Sequence, residues 1–366
     1  MAPTTEAELA ELLAERFARR APLRIVGGGT RTENRGPGDA LGLARLAGVV
    51  TYSPGEMTLV ARAGTPLPEI MDMLAAEGQS LAFEPPDLRT ISGAGGVPTI
   101  GGMVAANASG PRRLSAGACR DHLLGVRFVD GQGRTIKNGG RVMKNVTGLD
   151  LSKLMAGAHG TLGVLTEVSM KTLPLSAARA TLAFAGTDAA AAVAIFTAAL
   201  ATPFEISGAA WRDGTAFLRI EGLGPQLDYR RDRLLALFPD RKPDLLERTD
   251  SDRLWRDLRD AATFAASPAP LWRILTRPSE APALSARLTA LGGQVALDWG
   301  GGLIWYQGPG EVAQIRSIAR HATLIRRGGL TGPAFPPPFG PVAQISNGLR
   351  QRFDPAGILN PGLMDS

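Results

Sequence analysis

Two glycine-rich stretches carry the residue types from which an anion cradle is built. Residues 23–30 read LRIVGGGT, and residues 83–110 set Gly93, Gly95, Gly96, Gly101, Gly102 and Gly110 among prolines and small side chains. Lacking a Cβ, glycine takes φ > 0 and lets backbone N–H groups close on a ligand, the arrangement that holds an anion. Val97, Ile100, Met103 and Val104 are too apolar for a solvated linker, so residues 99–110 are expected to form a tight turn opening into a short buried helix beside a ligand, with a dinucleotide as the candidate. The standard nucleotide signatures do not fit. No GxxxxGK[ST] occurs, and the run from Gly93 to Pro98 breaks GxGxxG at its last glycine, with no strand clearly leading into it. A third run sets Gly157, Gly160 and Gly163 ahead of an alternating strand, 164–171, closed by Pro174, and again offers backbone to a ligand.

Side chains for acid–base or metal chemistry are scarce. The three histidines are His122, His159 and His321 and the one cysteine is Cys119, so no internal disulfide or iron–sulfur site can be built, and no closely spaced histidine pair offers a metal site. Cys119, beside Arg120, reads better as a packed thiol than as a reactive one. Arg89, Arg112 and Arg113 have the chemistry to bind a carboxylate, a phosphate or a partner.

These groups need elements to position them. A helix Glu6–Arg19, with Thr5 and Glu8 placed as a capping box, leads into a strand Leu23–Val26. Strands at 49–52 and 59–62 flank a turn at 53–56. Thr65 then caps a helix with Pro66 at its first position and Leu67, Ile70, Met71 and Leu74 on one face, ending at Gly78. Segments 124–130 and 134–137 make a hairpin, and 150–156 a short helix. From 177 to 330 the glycine-rich loops vanish and the alternation becomes regular. Strand 181–185, helix 188–201, strands 206–211 and 215–221 and helix 226–238 recur as strand 271–276, helix 279–291, strands 294–298 and 302–306 and helix 310–321, with a connecting helix at 252–262 and a last strand at 323–326. Two ferredoxin-like halves in one antiparallel sheet are expected. The fold class is therefore α+β, with domains at 1–176 and 177–330 and a return of 331–366 to the first. Its proline-rich start, 331–341, reads as a rigid or partner-facing connection.

With 366 residues, 44% of them apolar, the chain can build real cores. The net charge is +6, yet the arginines are interleaved with acids, as at Arg230, Arg231, Asp232 and Arg233. Without an aromatic-interleaved basic stripe, no nucleic-acid partner is expected. The acidic, amphipathic start lacks the marks of a signal peptide, and no stretch approaches the ~20 apolar residues of a membrane span, so a cytoplasmic location is expected.

Taken in order, LRIVGGGT, RAGTPL, FEPPD, TIGGMVAANASGP, RRLSAGACRDHLLG, VMKNVTGLDLSKLMAGAHGTLGVLTEVSMKTLP and the terminal FDPAGILNPG resemble the vanillyl-alcohol-oxidase type of flavoprotein, and within it the FAD-binding E-subunit family of bacterial glycolate oxidases (glycolate dehydrogenases). The resemblance implies a two-subdomain PCMH-type FAD-binding domain followed by a cap, or substrate, domain. It implies that Gly27, Gly28, Gly29, Thr30, Arg31 and Thr32 cradle the FAD pyrophosphate and that Pro85 and Pro86 shape the wall beside the flavin. Thr99, Ile100, Gly101 and Gly102 would pass close to the isoalloxazine, and Ala105, Asn107, Ser109 and Gly110 would continue along ribityl and phosphates. Gly163 and Val164 would meet the adenine end, and Asn360 would return the C-terminus to the flavin domain. On that placement His159 sits at the adenine end and is not expected to be catalytic. Several members attach FAD through a His or Cys, but residues 26–38 contain neither, so non-covalent FAD is expected.

The implied function is that of an FAD-binding subunit of a multi-subunit glycolate oxidase, which takes glycolate, and D-lactate with it, to the 2-oxo acid. This chain would serve electron relay or assembly beside a larger FAD-binding subunit and an iron–sulfur subunit, in the cytoplasm or at the inner face of the membrane where partners carry it. Oxidising a 2-hydroxy acid needs a base for the hydroxyl proton and a cation or metal for the carboxylate. No base stands out in the cap, so the catalytic residues stay unassigned. The competing reading is a self-sufficient FAD-linked oxidoreductase acting on another small hydroxy compound.

Overall fold

The computed structural model describes residues 1–31, 36–141 and 149–364. Helix Glu6–Arg19 starts at Thr5, whose hydroxyl accepts the Glu8 N–H, and it fully buries Leu9 and Leu13. The reciprocal half of the capping box does not form, because the Glu8 carboxylate accepts from the N–H and hydroxyl of Thr4 instead. The helix feeds strand Leu23–Val26, which pairs in parallel with Asp39–Gly42.

A five-stranded antiparallel sheet stands beside this unit, in the order Val49–Ser53, Thr58–Arg62, Val164–Lys171, Leu123–Val129, Thr135–Gly139. Helix Leu67–Ala76 packs Leu67, Ile70 and Leu74 into the adjoining core. Its cap lies one residue later than the sequence suggests. Pro66 is the cap, and Thr65 is buried, donating its hydroxyl to the Arg62 carbonyl at 2.7 Å and accepting the Gly48 N–H. The short helix Ile100–Ala105 is sunk in the same core, with Ile100, Met103 and Val104 fully buried.

Beyond residue 177 the chain builds one eight-stranded sheet from two like halves. The first runs Asp244–Leu246, Ala178–Phe184, Thr215–Gly222, Ile206–Arg212, and the second Gln294–Asp298, Leu303–Gln307, Leu271–Leu275, Ala322–Arg326. Counted inward from its outer edge, each half places its strands in the order fourth, first, third, second, the ferredoxin-like arrangement. The halves meet at the single pair Trp211–Leu297. Strand Asp244–Leu246 is absent from the sequence reading because three residues are too few to show alternation.

One face of this sheet packs helices such as Ala189–Leu200 and Ala281–Thr289 against a core that includes Phe196, Trp272 and Ile274. Leu271, Ala296, Leu303 and Trp305 instead meet Leu88 and Ile91 of the N-terminal half. Two polar links lock that junction. The Trp299 indole N–H donates to the Gly110 carbonyl at 2.9 Å, and Glu84 accepts both guanidinium N–H groups of Arg219, at 2.9 and 2.8 Å, with Arg112 and Glu221 completing the network. The C-terminal return is tied at both ends. Leu324 donates its N–H to the Ala334 carbonyl, so the proline-rich connection is strapped to the last sheet strand, while Leu359 bridges in parallel to Leu23.

Candidate functional site

The cradle begins where strand Leu23–Val26 ends. Gly29 takes φ 66°, the left-handed region that glycine enters freely. Gly28 and Gly96 face each other backbone to backbone: a Cβ on Gly28 would lie 1.7 Å from the Val97 carbonyl oxygen, and one on Gly96 1.8 Å from the Gly28 oxygen. Among the described residues no acceptor meets the N–H groups of Gly28, Gly29 or Thr30. Unsatisfied donors on a concave wall are what an anionic group needs.

These groups line a cavity of about 1100 Å³, counted with its open mouth. Gly27, Gly28, Gly29, Thr30 and Arg31 form one wall, and Thr99, Gly101, Gly102 and Ala105 another. Gly163 and Asn360 close it. The helix Ile100–Ala105 offers no free donors at its start, since its N–H groups go to Thr65, Ala63 and the Thr99 hydroxyl. Its contribution is a thin wall: a Cβ on Gly102 would meet only the Thr99 hydroxyl, at 3.2 Å.

A second cavity of about 730 Å³, again with its open mouth, shares Arg31, Ala106 and His159 with the first. Pro86, Asn107, Ser109 and Gly110 line its N-terminal side. Arg259, Arg273, Asp298, Trp305 and Thr323 line the other, and Phe335 enters from the C-terminal return. Three residues assigned to the cofactor from sequence stand behind these walls. Pro85, Ile100 and Val164 line neither cavity, the last two being fully buried. Thr32 lies outside the described residues.

Asn360 joins cradle to core. Its Oδ1 accepts the Ile25 N–H at 2.7 Å, and its Nδ2 donates to the His159 carbonyl at 2.8 Å. His159 is held from the other side by its own N–H, which reaches the Ala105 carbonyl at 2.9 Å, and it sits at φ 49°. Its ring, edge-on to Phe335 at 4.7 Å, lines both cavities. Burial, with Arg31 and Arg273 nearby, pushes its pKa down to about 4, which keeps the imidazole neutral at neutral pH.

The other titratable groups divide by partner. Burial lowers the Arg31 and Arg273 guanidiniums to about 10, though both remain cationic at neutral pH. Burial raises the Asp298 carboxyl to about 7, against the Trp299 N–H that it accepts at 2.7 Å. Burial would also raise Glu84, but Arg219 and Arg112 outweigh it and hold the carboxylate below its usual range. The Cys119 thiol, buried, is pushed up to about 12, and His122 donates from Nε2 to the Ala116 carbonyl. Neither lines a cavity. Among the described residues no cluster of His, Cys, Asp and Glu is arranged to hold a metal, and no helix is long and apolar enough to cross a membrane.

A dinucleotide with an anionic centre suits this wall, with its unpaired N–H groups, buried Arg31 and bare Gly102. Residues 1–139 match the family model described as an FAD binding domain. Over its whole length the fold is similar to alkyldihydroxyacetonephosphate synthase, with a TM-score of 0.68 at 15% identity, covering 99% of this chain and 75% of that one. The chain is 35% identical over 132 residues to glycolate oxidase subunit GlcD of Bacillus subtilis, covering 36% of this chain and 25% of that protein. It is 36% identical over 365 residues to glycolate oxidase subunit GlcE of Escherichia coli, covering 97% of this chain and 96% of its relative. Near-complete coverage in both directions extends the likeness through the eight-stranded sheet as well as the cradle, and the chain belongs to the GlcE family of glycolate oxidase subunits.

Proposed function

We propose that this chain is the FAD-holding subunit of a glycolate oxidase, in which the assembled complex takes glycolate, and D-lactate, to the 2-oxo acid while this subunit relays electrons or holds the assembly. The observation that carries the reading is the row of unpaired N–H donors at Gly28, Gly29 and Thr30, on a cavity that leads past Arg31 and His159 into a second one under the cap. Gly27 to Arg31 would hold the pyrophosphate, Thr99, Gly101 and Gly102 would stand beside the flavin, and Ala105, Asn107, Ser109 and Gly110 would continue along the cofactor. When bound, FAD supplies the acceptor for a hydride. The chain's own part is to close water out with the cap, to present fixed positive charge at Arg31 and Arg273, and to keep a neutral imidazole at His159.

The attachment is non-covalent on this reading. Residues 26–38 contain no His or Cys, Cys119 is a buried thiol away from the cavities, and His122 is held by Ala116, which leaves His159 alone among the described His and Cys in position to form a link. The partners are a larger FAD-binding subunit and an iron–sulfur subunit, with the complex in the cytoplasm or at the inner membrane face.

The second reading, a self-sufficient oxidoreductase, draws on His159 and Arg273 lining one cavity. Dye reduction with glycolate and D-lactate separates the two. The subunit reading expects the lone FAD-loaded chain to be nearly silent, and activity to appear on joining the larger flavin subunit and the iron–sulfur subunit. Turnover by the lone chain comparable to that of the complex overturns it.

A further inference from the structure

We propose that Arg273 anchors a small carboxylate in the second cavity, so that this chain itself binds the acid on which the complex acts. The inference rests on the reading above, in which the cofactor fills the first cavity and runs along the Asn107 to Gly110 side of the second, leaving the side formed by Arg273, Asp298 and Thr323 for the acid. Arg273 lies in strand Leu271–Leu275 between Trp272 and Ile274, both fully buried in the helix-covered core. Strand alternation therefore turns Arg273 to the opposite face, over the cavity that it lines. Among the described residues no carboxylate lies within ion-pair distance of its guanidinium and no acceptor takes its N–H groups; its recorded contact is the Trp299 ring, 5.0 Å away. Three other buried arginines are paired, Arg219 with Glu84, Arg112 with Glu221 and Arg259 with Asp260, and Arg31 gives its guanidinium to the Pro86 carbonyl at 2.7 Å.

A sequestered cation without an anion is costly, and a guanidinium with its fork free is suited to bind a carboxylate through two parallel hydrogen bonds. The surrounding charge favours the same ligand. Arg31 lines the cavity and Arg113 covers the same Trp299 ring at 4.4 Å, both adding positive charge. Asp298 is the acid facing them, and burial weakens its hold on a negative charge. Trp305, Ile325 and Phe335 supply apolar wall, which suits an acid with a short carbon skeleton, and Thr323 and His159 are left to meet a neighbouring hydroxyl.

Calorimetry on the full chain loaded with FAD tests this, with glycolate, non-oxidisable oxalate and neutral glycolamide as probes. Glycolate and oxalate should bind at least tenfold more tightly than glycolamide, and Arg273→Gln, with FAD content unchanged, should weaken both acids at least tenfold and leave glycolamide where it was. An FAD-loaded parent that takes up neither acid, glycolamide binding as well as glycolate, or Arg273→Gln binding like the parent would each overturn the proposal. Should Arg273→Gln fail to fold, the comparison of glycolate with glycolamide on the parent decides. A parent that folds but retains no FAD fails the reading of the first cavity instead, so the two failures are told apart.

Discussion

Gly28→Ala and Gly102→Ala should separate the two ways in which a glycine serves this site. A methyl at Gly28 would lie 1.7 Å from the Val97 oxygen and 2.6 Å from its carbon, where ordinary contact begins at 3.4 Å. Both obstacles are backbone, so the loops at 27–31 and 93–98 must part. Overpacking costs about 1–3 kcal/mol, and an obstacle that cannot rotate away puts this variant near the top, lowering Tm by about 4 °C. At Gly102 the only obstacle is the Thr99 hydroxyl at 3.2 Å, and alanine in a helix interior is favoured over glycine by about 0.5–1 kcal/mol. That variant should melt with or slightly above the parent once flavin is stripped from both, yet hold less FAD, because its methyl stands in the cavity. The assays are circular-dichroism melts of the stripped proteins and FAD per chain after acid release. A Gly28→Ala protein that melts with the parent, or Gly102→Ala with full FAD, would refute the reasoning.

Two further variants test the junction. Glu84→Gln removes the carboxylate that Arg219, 2% exposed, depends on; breaking such a buried pair should cost about 3–5 kcal/mol in denaturant unfolding, and a loss under about 1 kcal/mol would contradict the network's role. For Asp298 the unfolded carboxyl releases its proton near 3.8 and the folded one only near about 7. Between those values the unfolded chain binds fewer protons, so the parent should lose stability relative to Asp298→Asn as pH rises from 4 to 7, by up to about 4 kcal/mol, and the difference should level off above 7. A difference that is flat across that range would show that the carboxyl ionises normally.

What could be read from the sequence was what depends on near neighbours. A glycine run after a short strand signals bare N–H groups whatever lies opposite, and the strand–helix order from 177 to 330 repeats visibly enough to give the ferredoxin-like halves. The reason for each glycine was less legible. Gly28 reads as a phosphate contact, while its side-chain position is filled by Val97, a residue of another loop. Reading the run of His159 as a unit with Gly163 could not show that the left-handed turn at His159, fixed by Ala105 and Asn360, brings its ring to line both cavities. Arg273 and Asp298 carry no local sign at all. An arginine in LWRIL marks the face away from the apolar core, but only the packing of the whole sheet on Leu88 and Ile91 turns that face toward the cradle.

The central claim, that the cradle is a non-covalent FAD site, is tested most directly by the flavin content of the purified full chain before and after acid precipitation. The account predicts one FAD per chain, with the yellow colour left in the supernatant. A folded chain that takes up no FAD, or colour that stays with the pellet, would contradict it.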